Sequence, residues 1–226
     1  MAKKKSINTP TPVPYPPTLK DHNFYKFNLD PEQEIFRDYI WDDDSIIIFC
    51  NARSGTGKTT IATATAQILL EYGRYSGIVY IASPYAEKEQ GYLPGSLGEK
   101  SEPYFQPFFQ ALEEIEKPWN IGRTDIECCT HTFLRGVNFQ NKVVIIDECQ
   151  NFTADALKKV LTRIHDSCKV IVIGHKGQID LEDKKESGFV SYIEHFQRLC
   201  DDKAKVCELL TNHRGWLSNM ADNVTT

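Results

Sequence analysis

Apolar and polar residues alternate in blocks along most of this chain. From about residue 30 onward, six short and mostly continuous apolar runs predict β-strands, at residues 45–50, 77–82, 126–130, 142–147, 169–174 and 205–210. Continuous apolar runs are typical of strands that are buried on both faces, as in a parallel sheet.

Between these runs, apolar residues recur at helical spacing. Three such faces predict helices, with Thr153 as a candidate N-cap of the second: Ile61, Ala64, Ile68 and Tyr72; Leu157, Val160, Leu161 and Ile164; Phe189, Tyr192, Ile193 and Phe196. Strands that alternate with helices predict an α/β fold of three layers, with a mostly parallel sheet between two layers of helices. We expect a single core domain over residues 23–226.

Two proline-rich segments depart from this pattern. Residues 1–22 hold three consecutive lysines and five prolines, which predict an extended, disordered arm that either has no partner or touches one, such as a nucleic acid. Residues 83–122 hold another five prolines and predict an insertion with one short helix at 108–116. A long insertion in a compact fold is usually functional or a contact surface.

Composition and charge exclude several classes of protein. The 226 residues carry a formal net charge of −5, which argues against a protein that coats nucleic acid with its whole surface but allows a local basic groove. No apolar run approaches the roughly 18 residues that a membrane helix needs, and the first residues lack the apolar core of a secretion signal. The seven cysteines contain no CxxC pair. We therefore expect reduced thiols in a cytoplasmic protein.

The strongest chemical signal is a phosphate-binding loop. Residues 51–59 read NARSGTGKT, close to the pattern G-x-x-x-x-G-K-[ST], with Ala52 in place of the first glycine. In such a loop the backbone N–H groups at the start of the next helix wrap the phosphates of a nucleotide. Lys58 would bridge the β- and γ-phosphates of ATP, and Thr59 would bind Mg²⁺. The predicted nucleotide contacts are Ser54, Gly55, Thr56, Gly57, Lys58, Thr59 and Thr60.

An apolar strand that ends in two acidic residues predicts the magnesium side of the same site. Residues 143–148 read VVIIDE, in which Asp147 would hold Mg²⁺ and Glu148 would polarise the attacking water as a general base. A base beside water favours ATP hydrolysis over phosphate transfer, because a kinase must exclude water.

Four further side chains are candidates for contacts with the nucleotide. Gln178 follows the strand at 169–174 and could sense the γ-phosphate by hydrogen bonding. Arg163 and Arg214 are candidates for stabilising its charge, although most arginines are surface groups. Gln33, in the stretch LDPEQ, could read the adenine edge with its paired donor and acceptor.

Taken in order over about residues 28–220, these motifs resemble the PhoH-like ATPases, which are related to superfamily-one helicases. The most specific stretches are GYLPG at residues 91–95 and PYFQPFFQAL at residues 103–112, joined by DECQN and NHRG. The resemblance implies a RecA-like P-loop NTPase core that binds and hydrolyses ATP with Mg²⁺, with links to RNA or DNA unwinding and to phosphate starvation. Short PhoH-like proteins of bacteriophages are similar. Ala52, and His175 where the family has an acidic residue, are departures that concern catalytic rate.

The chain has room for one such core, whereas a superfamily-one helicase places ATP between two. A homo-oligomeric ring, most simply a hexamer, would supply the second wall, with Arg214 or Arg163 of one subunit completing the neighbour's site and single-stranded RNA or DNA in the pore. Two alternatives stay open. One is a non-catalytic protein whose assembly ATP controls, and the other is a nucleoside kinase, although type II thymidine kinases use CxxC zinc pairs that this chain lacks.

Overall fold

All six predicted strands form in the computed structural model, which describes residues 15–83, 102–117, 124–134, 136–181 and 183–222. The strands are β1 Ile47–Ala52, β2 Ile78–Ala82, β3 Ile126–Thr130, β4 Val143–Asp147, β5 Lys169–Gly174 and β6 Ala204–Leu209. The helices of the described residues are α1 Pro31–Trp41, α2 Lys58–Glu71, α3 Gln106–Glu114, α4 Ala154–Leu161, α5 Gly188–Leu199 and α6 Trp216–Asp222. The three predicted helical faces lie on α2, α4 and α5, and Thr153 caps α4 by accepting the N–H of Ala156.

The strands form one sheet in the order β3-β2-β4-β5-β1-β6, and every neighbouring pair is parallel. Strand β5 lies between β1 and β4, so that Ile47 pairs with Val170 and Val143 pairs with Lys169. The carboxyl ends of β1, β5 and β4 therefore meet at one edge of the sheet. In open parallel sheets this edge is where ligands bind, and here it brings together the loops that carry the predicted site.

Two apolar clusters cover the two faces of the sheet. One face packs against α1, α2 and α3, through side chains such as Phe36, Ile68 and Phe108. The other packs against α4 and α5, through Leu157 and Phe189. The predicted α/β fold of three layers, with a parallel sheet between two layers of helices, is confirmed.

The chain packs on this core from residue 15 onward, within the proline-rich segment that was predicted to be disordered. The ring of Tyr15 stacks on that of Trp41, with centroids 4.2 Å apart, and the Trp41 indole N–H donates to the carbonyl of Pro16 at 3.0 Å. Leu19 has no exposed surface. The prediction of a disordered arm is therefore wrong for residues 15–22, because two apolar side chains among the prolines find a place beside α1. Residues 1–14 lie outside the described residues.

The predicted insertion contributes part of the core. Its helix α3 begins two residues earlier than predicted, and Pro107 fits the first turn, where no backbone N–H is needed. Phe108 and Leu112 are fully buried, and the Phe108 ring stacks on Tyr80 of β2 with centroids 4.7 Å apart. Residues 84–101 and 118–123, which include the GYLPG stretch, lie outside the described residues.

None of the described helices combines the length and the apolar character that crossing a bilayer requires. All seven cysteines are unpaired, and Cys50, Cys149, Cys168 and Cys207 are buried. Burial raises the pKa of both Cys128 and Cys129 to about 12, so these two thiols of β3 stay protonated at neutral pH.

Candidate active site

The phosphate loop, residues 51–59, connects β1 to α2 and has the backbone geometry that its sequence predicts. Gly55 and Gly57 adopt positive φ angles of 74° and 77°, which glycine reaches without steric cost. A Cβ at Gly55 would lie 2.6 Å from the Oδ1 atom of Asn212. Ala52 is the last residue of β1, fully buried and without a positive φ, so an alanine fits where the common pattern has glycine.

Distant residues bind two carbonyl groups of the loop, and among its N–H groups that of Arg53 donates to the carbonyl of Leu209 at 3.0 Å. The Gln33 amide donates to the carbonyl of Thr56 at 2.9 Å, and the N–H of His213 donates to that of Gly55 at 2.8 Å. Within the described part of the chain, the backbone N–H groups of residues 54–60 have no acceptor. A row of unpaired N–H groups at the start of a helix, reinforced by the helix dipole, is a binding site for an anion such as phosphate.

The predicted metal-binding residues lie in direct contact. The Thr59 hydroxyl donates to Oδ2 of Asp147 at 2.8 Å, and the Tyr80 hydroxyl donates to the same oxygen at 2.8 Å. Asp147 is fully buried, and its pKa is raised by burial first and then by the negative charge of Glu148. A hydroxyl beside a carboxylate is a set of hard oxygen donors, which fits Mg²⁺ held jointly by protein, phosphate and water oxygens.

The predicted base, Glu148, contacts Asp147, Gln150 and Lys58. Its backbone is left-handed, with φ 49°, and its N–H donates to Oδ1 of Asp147 at 2.7 Å. One carboxylate oxygen accepts from the Gln150 amide at 2.6 Å, and the other lies 3.5 Å from the ammonium group of Lys58. The carboxylate therefore stands next to the phosphate loop with one oxygen anchored.

Gln150 is a functional residue that residue-by-residue analysis of the sequence missed. It is almost fully buried, and its side-chain oxygen accepts the N–H of His175 at 2.9 Å while its amide nitrogen holds Glu148. A Cβ at Gly174 would lie 2.9 Å from that oxygen, so the bridge needs a glycine there. The DECQN motif contains the only sequence signal for this role, because nothing local shows that Gln150 reaches the end of β5.

The loop of residues 175–180 that follows β5 is tied to its neighbours on both sides. Asn51 accepts the N–H of Lys176 at 3.1 Å and donates to Glu208 at 2.9 Å. Hydrogen bonds from the side chains of Asn51 and Lys176 lower the pKa of Glu208. On the other side, Asn151 donates to Asp180 at 2.8 Å. The loop that carries Gln178 is thus held between β1 and the acidic strand β4.

The four remaining candidate residues do not all lie at the phosphate loop. Arg214 reaches the phosphate loop, where its guanidinium donates to the Ser54 hydroxyl at 3.2 Å. Gln178 is exposed on the anchored loop, at the same edge of the sheet. Arg163 does not reach this site within one chain, since its guanidinium lies 3.5 Å from the carbonyl of Val137 and lines a different cavity. Its predicted role at the γ-phosphate of the same subunit has no geometric support.

Gln33 is already engaged at both ends of its amide. Its nitrogen holds Thr56, and its oxygen accepts the N–H of Asp30 at 3.1 Å in a capping box of α1. One N–H and one lone pair are left for a ligand, since each end of an amide can form two hydrogen bonds. The adenine-reading role stays a prediction.

A cavity of about 460 Å³ opens beside the loop. Its walls include Leu29 and Gln33 on one side and Pro107, Gln110 and Glu114 of α3 on another. The Thr60 hydroxyl donates to Glu114 at 2.8 Å, which joins the start of α2 to α3. Its size suits a nucleoside, and α3 is a wall that the motif analysis did not anticipate.

The family model and similar curated relatives point to the same family. The family model described as PhoH-like protein matches residues 28–214. The chain is 33% identical over 165 residues to a PhoH-like protein of Mycobacterium leprae, covering 70% of this chain and 47% of the relative. It is 35% identical over 162 residues to Protein PhoH of Escherichia coli K12, covering 67% and 45%, and 31% identical over 179 residues to Protein PhoH2 of Bacillus subtilis, covering 74% and 40%.

Among solved structures, the chain is similar to the Sulfolobus solfataricus SWI2/SNF2 ATPase core in complex with dsDNA, at 16% identity and a TM-score of 0.41, covering 81% of this chain and 45% of that one. The chain spans less than half the length of the PhoH relatives it matches. The family model, by contrast, covers most of the chain, from α1 through every strand to the segment that follows β6. This chain belongs to the PhoH-like protein family.

Proposed function

We propose that this chain binds ATP together with Mg²⁺ and hydrolyses it. The observation that supports the proposal is that two pairs of side chains lie in contact beside the phosphate loop. Thr59 touches Asp147, and Lys58 lies next to Glu148, directly beside a row of N–H groups without acceptors. Phosphate binding, metal binding and activation of water are thereby available within one small site.

The geometry suggests an order of events at Glu148. Lys58 lies 3.5 Å from the carboxylate oxygen of Glu148 that Gln150 does not hold. The β- and γ-phosphates would draw the ammonium group away, and that oxygen could then take a proton from the attacking water. Gln150 would keep the other oxygen in place. Bound Mg²⁺, held through Thr59 and Asp147, would neutralise charge on the phosphate oxygens.

Gln150 supplies a test of this positioning. Replacing it with alanine is expected to lower kcat for ATP about tenfold, because a hydrogen bond to a charged group contributes about 1.5–3 kcal/mol. The KM for ATP should stay within about twofold of wild type, since Gln150 touches no predicted phosphate contact. Steady-state kinetics would show this, with exposed Gln197→Ala as the matched control. An unchanged kcat would contradict the positioning role.

We further propose that turnover is coupled to single-stranded RNA or DNA. The resemblance of the DECQN and NHRG motifs to those of PhoH-like ATPases, which are related to superfamily-one helicases, supports this. Steady-state phosphate release from ATP and Mg²⁺, with and without oligouridine or oligothymidine, tests it. Stimulation would support a nucleic-acid-coupled motor, and turnover without stimulation would leave an ATPase with another client. Tight ATP binding without turnover would favour the non-catalytic assembly protein.

The functional unit that we propose is a homo-oligomeric ring, most simply a hexamer. The described residues form one core, and an exposed apolar surface lies directly after Arg214. Trp216 and Leu217 of α6 are 74% and 75% exposed, two and three residues beyond Arg214. A neighbour covering this surface would approach the phosphate loop. Light scattering in the presence of ATP and Mg²⁺ should give a multiple of the chain mass, and a monomeric mass would contradict the ring.

A further inference from the structure

A second cavity of about 470 Å³ lies between the loop that follows β3 and helix α4. Its polar lining consists of His131 and Thr132 on one side and Lys159 and Arg163 on the other, with Thr153 at the start of the helix. It shares no lining residue with the cavity beside the phosphate loop. It therefore lies apart from the site described above, yet near the same carboxyl edge of the sheet, where β3 and β4 end.

The charges in this second cavity point to an anion. Lys159 lies in the last turn of α4 and Arg163 lies two residues beyond the end of that helix, and neither forms an ion pair with any residue that the structure describes. The acidic residue in the first turn of α4, Asp155, does not line the cavity. In a chain of net charge −5, two cations that share a cavity and have no ion-pair partner among the described residues are a local reversal of the overall charge.

Uncharged polar groups complete the lining. The hydroxyls of Thr130 and Thr132 lie 2.9 Å apart and share one hydrogen bond, which leaves further capacity on Thr132. The His131 ring packs on Phe152 with centroids 4.8 Å apart, and its buried Nδ1 has no hydrogen-bond partner among the residues that the structure describes. Burial lowers the pKa of His131, and the positive charge of Lys159 acts in the same direction. Lys159 and His131 line the same cavity.

We propose that this second cavity binds a backbone phosphate of a nucleic-acid strand through Lys159 and Arg163. An arginine and a lysine beside hydroxyl groups are the side chains that contact phosphodiesters most often, and such contacts carry no sequence preference. The inference rests on the proposed coupling to nucleic acid and gives it a location. Arg163, which sequence analysis placed at the γ-phosphate, is assigned here to the nucleic-acid strand instead.

Binding of fluorescein-labelled oligouridine and oligothymidine, followed by anisotropy over a range of salt concentrations, tests this assignment. Lys159→Ala should weaken binding severalfold and reduce the slope of log K against log salt by about 0.7, the value for one phosphate contact on a single strand. Lys158→Ala is the matched control, because Lys158 is exposed on the same helix but does not line the cavity. Arg163→Ala should weaken binding as Lys159→Ala does, and Arg163→Lys should weaken it less.

The outcomes separate this inference from the proposed ATPase. Basal ATP turnover of Lys159→Ala, measured without nucleic acid, should equal that of wild type. Equal affinities and equal salt slopes for Lys159→Ala and Lys158→Ala would overturn the inference, as would a wild-type chain that hydrolyses ATP but binds neither oligonucleotide. Displacement of the oligonucleotide by inorganic phosphate at constant ionic strength would also overturn it, in favour of free phosphate as the ligand. Absence of ATP turnover in the wild type would instead defeat the proposed function.

Discussion

Glu148→Gln is expected to slow ATP hydrolysis by about 100-fold or more, the usual contribution of a general base, while ATP still binds. The amide keeps the size of the carboxylate and its contact with Gln150, but it cannot take a proton from water. The fold should not suffer. The negative charge of Glu148 is one of the causes that raise the pKa of buried Asp147, so its removal relieves a repulsion. Phosphate release and ATP binding by calorimetry measure the two halves of this prediction.

Glu127→Gln is a suitable control for this variant. Glu127 lies on the edge strand β3, exposed and 3.3 Å from Lys142, so the same change of charge occurs far from the phosphate loop. Its turnover should match wild type. If Glu148→Gln hydrolysed ATP as fast as Glu127→Gln, the base would have to be another residue.

Lys58→Ala should lose both ATP binding and turnover. The Lys58 side chain is 15% exposed, and its ammonium group lies 3.5 Å from the carboxylate of Glu148. Without it, Asp147 and Glu148 would face the phosphates with no cation from the loop. Two charge-assisted hydrogen bonds at about 1.5–3 kcal/mol each predict an affinity for ATP that is about 100-fold weaker or more. Calorimetric titration with ATP and Mg²⁺ measures the loss.

The control for this second variant is Lys184→Ala. Lys184 is exposed in a short helical turn after β5, and its removal changes the net charge by the same amount. Circular dichroism should show both variants folded. Affinity for ATP in Lys58→Ala within severalfold of that in Lys184→Ala would remove Lys58 from the phosphate site.

The sheet was predictable because its strands are buried on both faces. A continuous apolar run such as 169–174 marks such a strand without knowledge of its neighbours, and the observed β5 has these bounds. The phosphate loop was equally predictable, since Gly55, Gly57 and Lys58 act through local backbone geometry. Asp147 and Glu148 followed because they end an apolar strand. Where chemistry is encoded in neighbouring residues, the sequence is sufficient.

Contacts between distant segments were not predictable in this way. Tyr80 and Gln150 look like ordinary members of a strand and a loop, and only the fold brings the one to Asp147 and the other to His175. Lys169 begins a strand, but the fold buries its ammonium against the carbonyls of Asp42 and Ser45, and burial lowers its pKa to about 8. No local pattern contains these pairings.

Two predictions that rest on local sequence were modified by the fold. Proline density predicted an extended arm, although Tyr15 and Leu19 supply enough apolar surface to pack beside α1. Arg163 was a candidate for the γ-phosphate of its own or a neighbouring subunit, and within one chain it lines a separate cavity, two residues beyond the end of α4. In both cases the position of the residues depends on packing surfaces elsewhere in the chain, which local sequence does not show.

A single-turnover experiment tests the central claim most directly. Wild type and Glu148→Gln, each at a concentration above both the ATP concentration and the Kd for ATP, would be mixed with labelled ATP, started with Mg²⁺, and quenched to measure the labelled phosphate formed. The account predicts that wild type cleaves its bound ATP, whereas Glu148→Gln holds the same amount of ATP uncleaved over that time. Equal cleavage by the two proteins, or ATP that stays intact on wild type, would contradict the account.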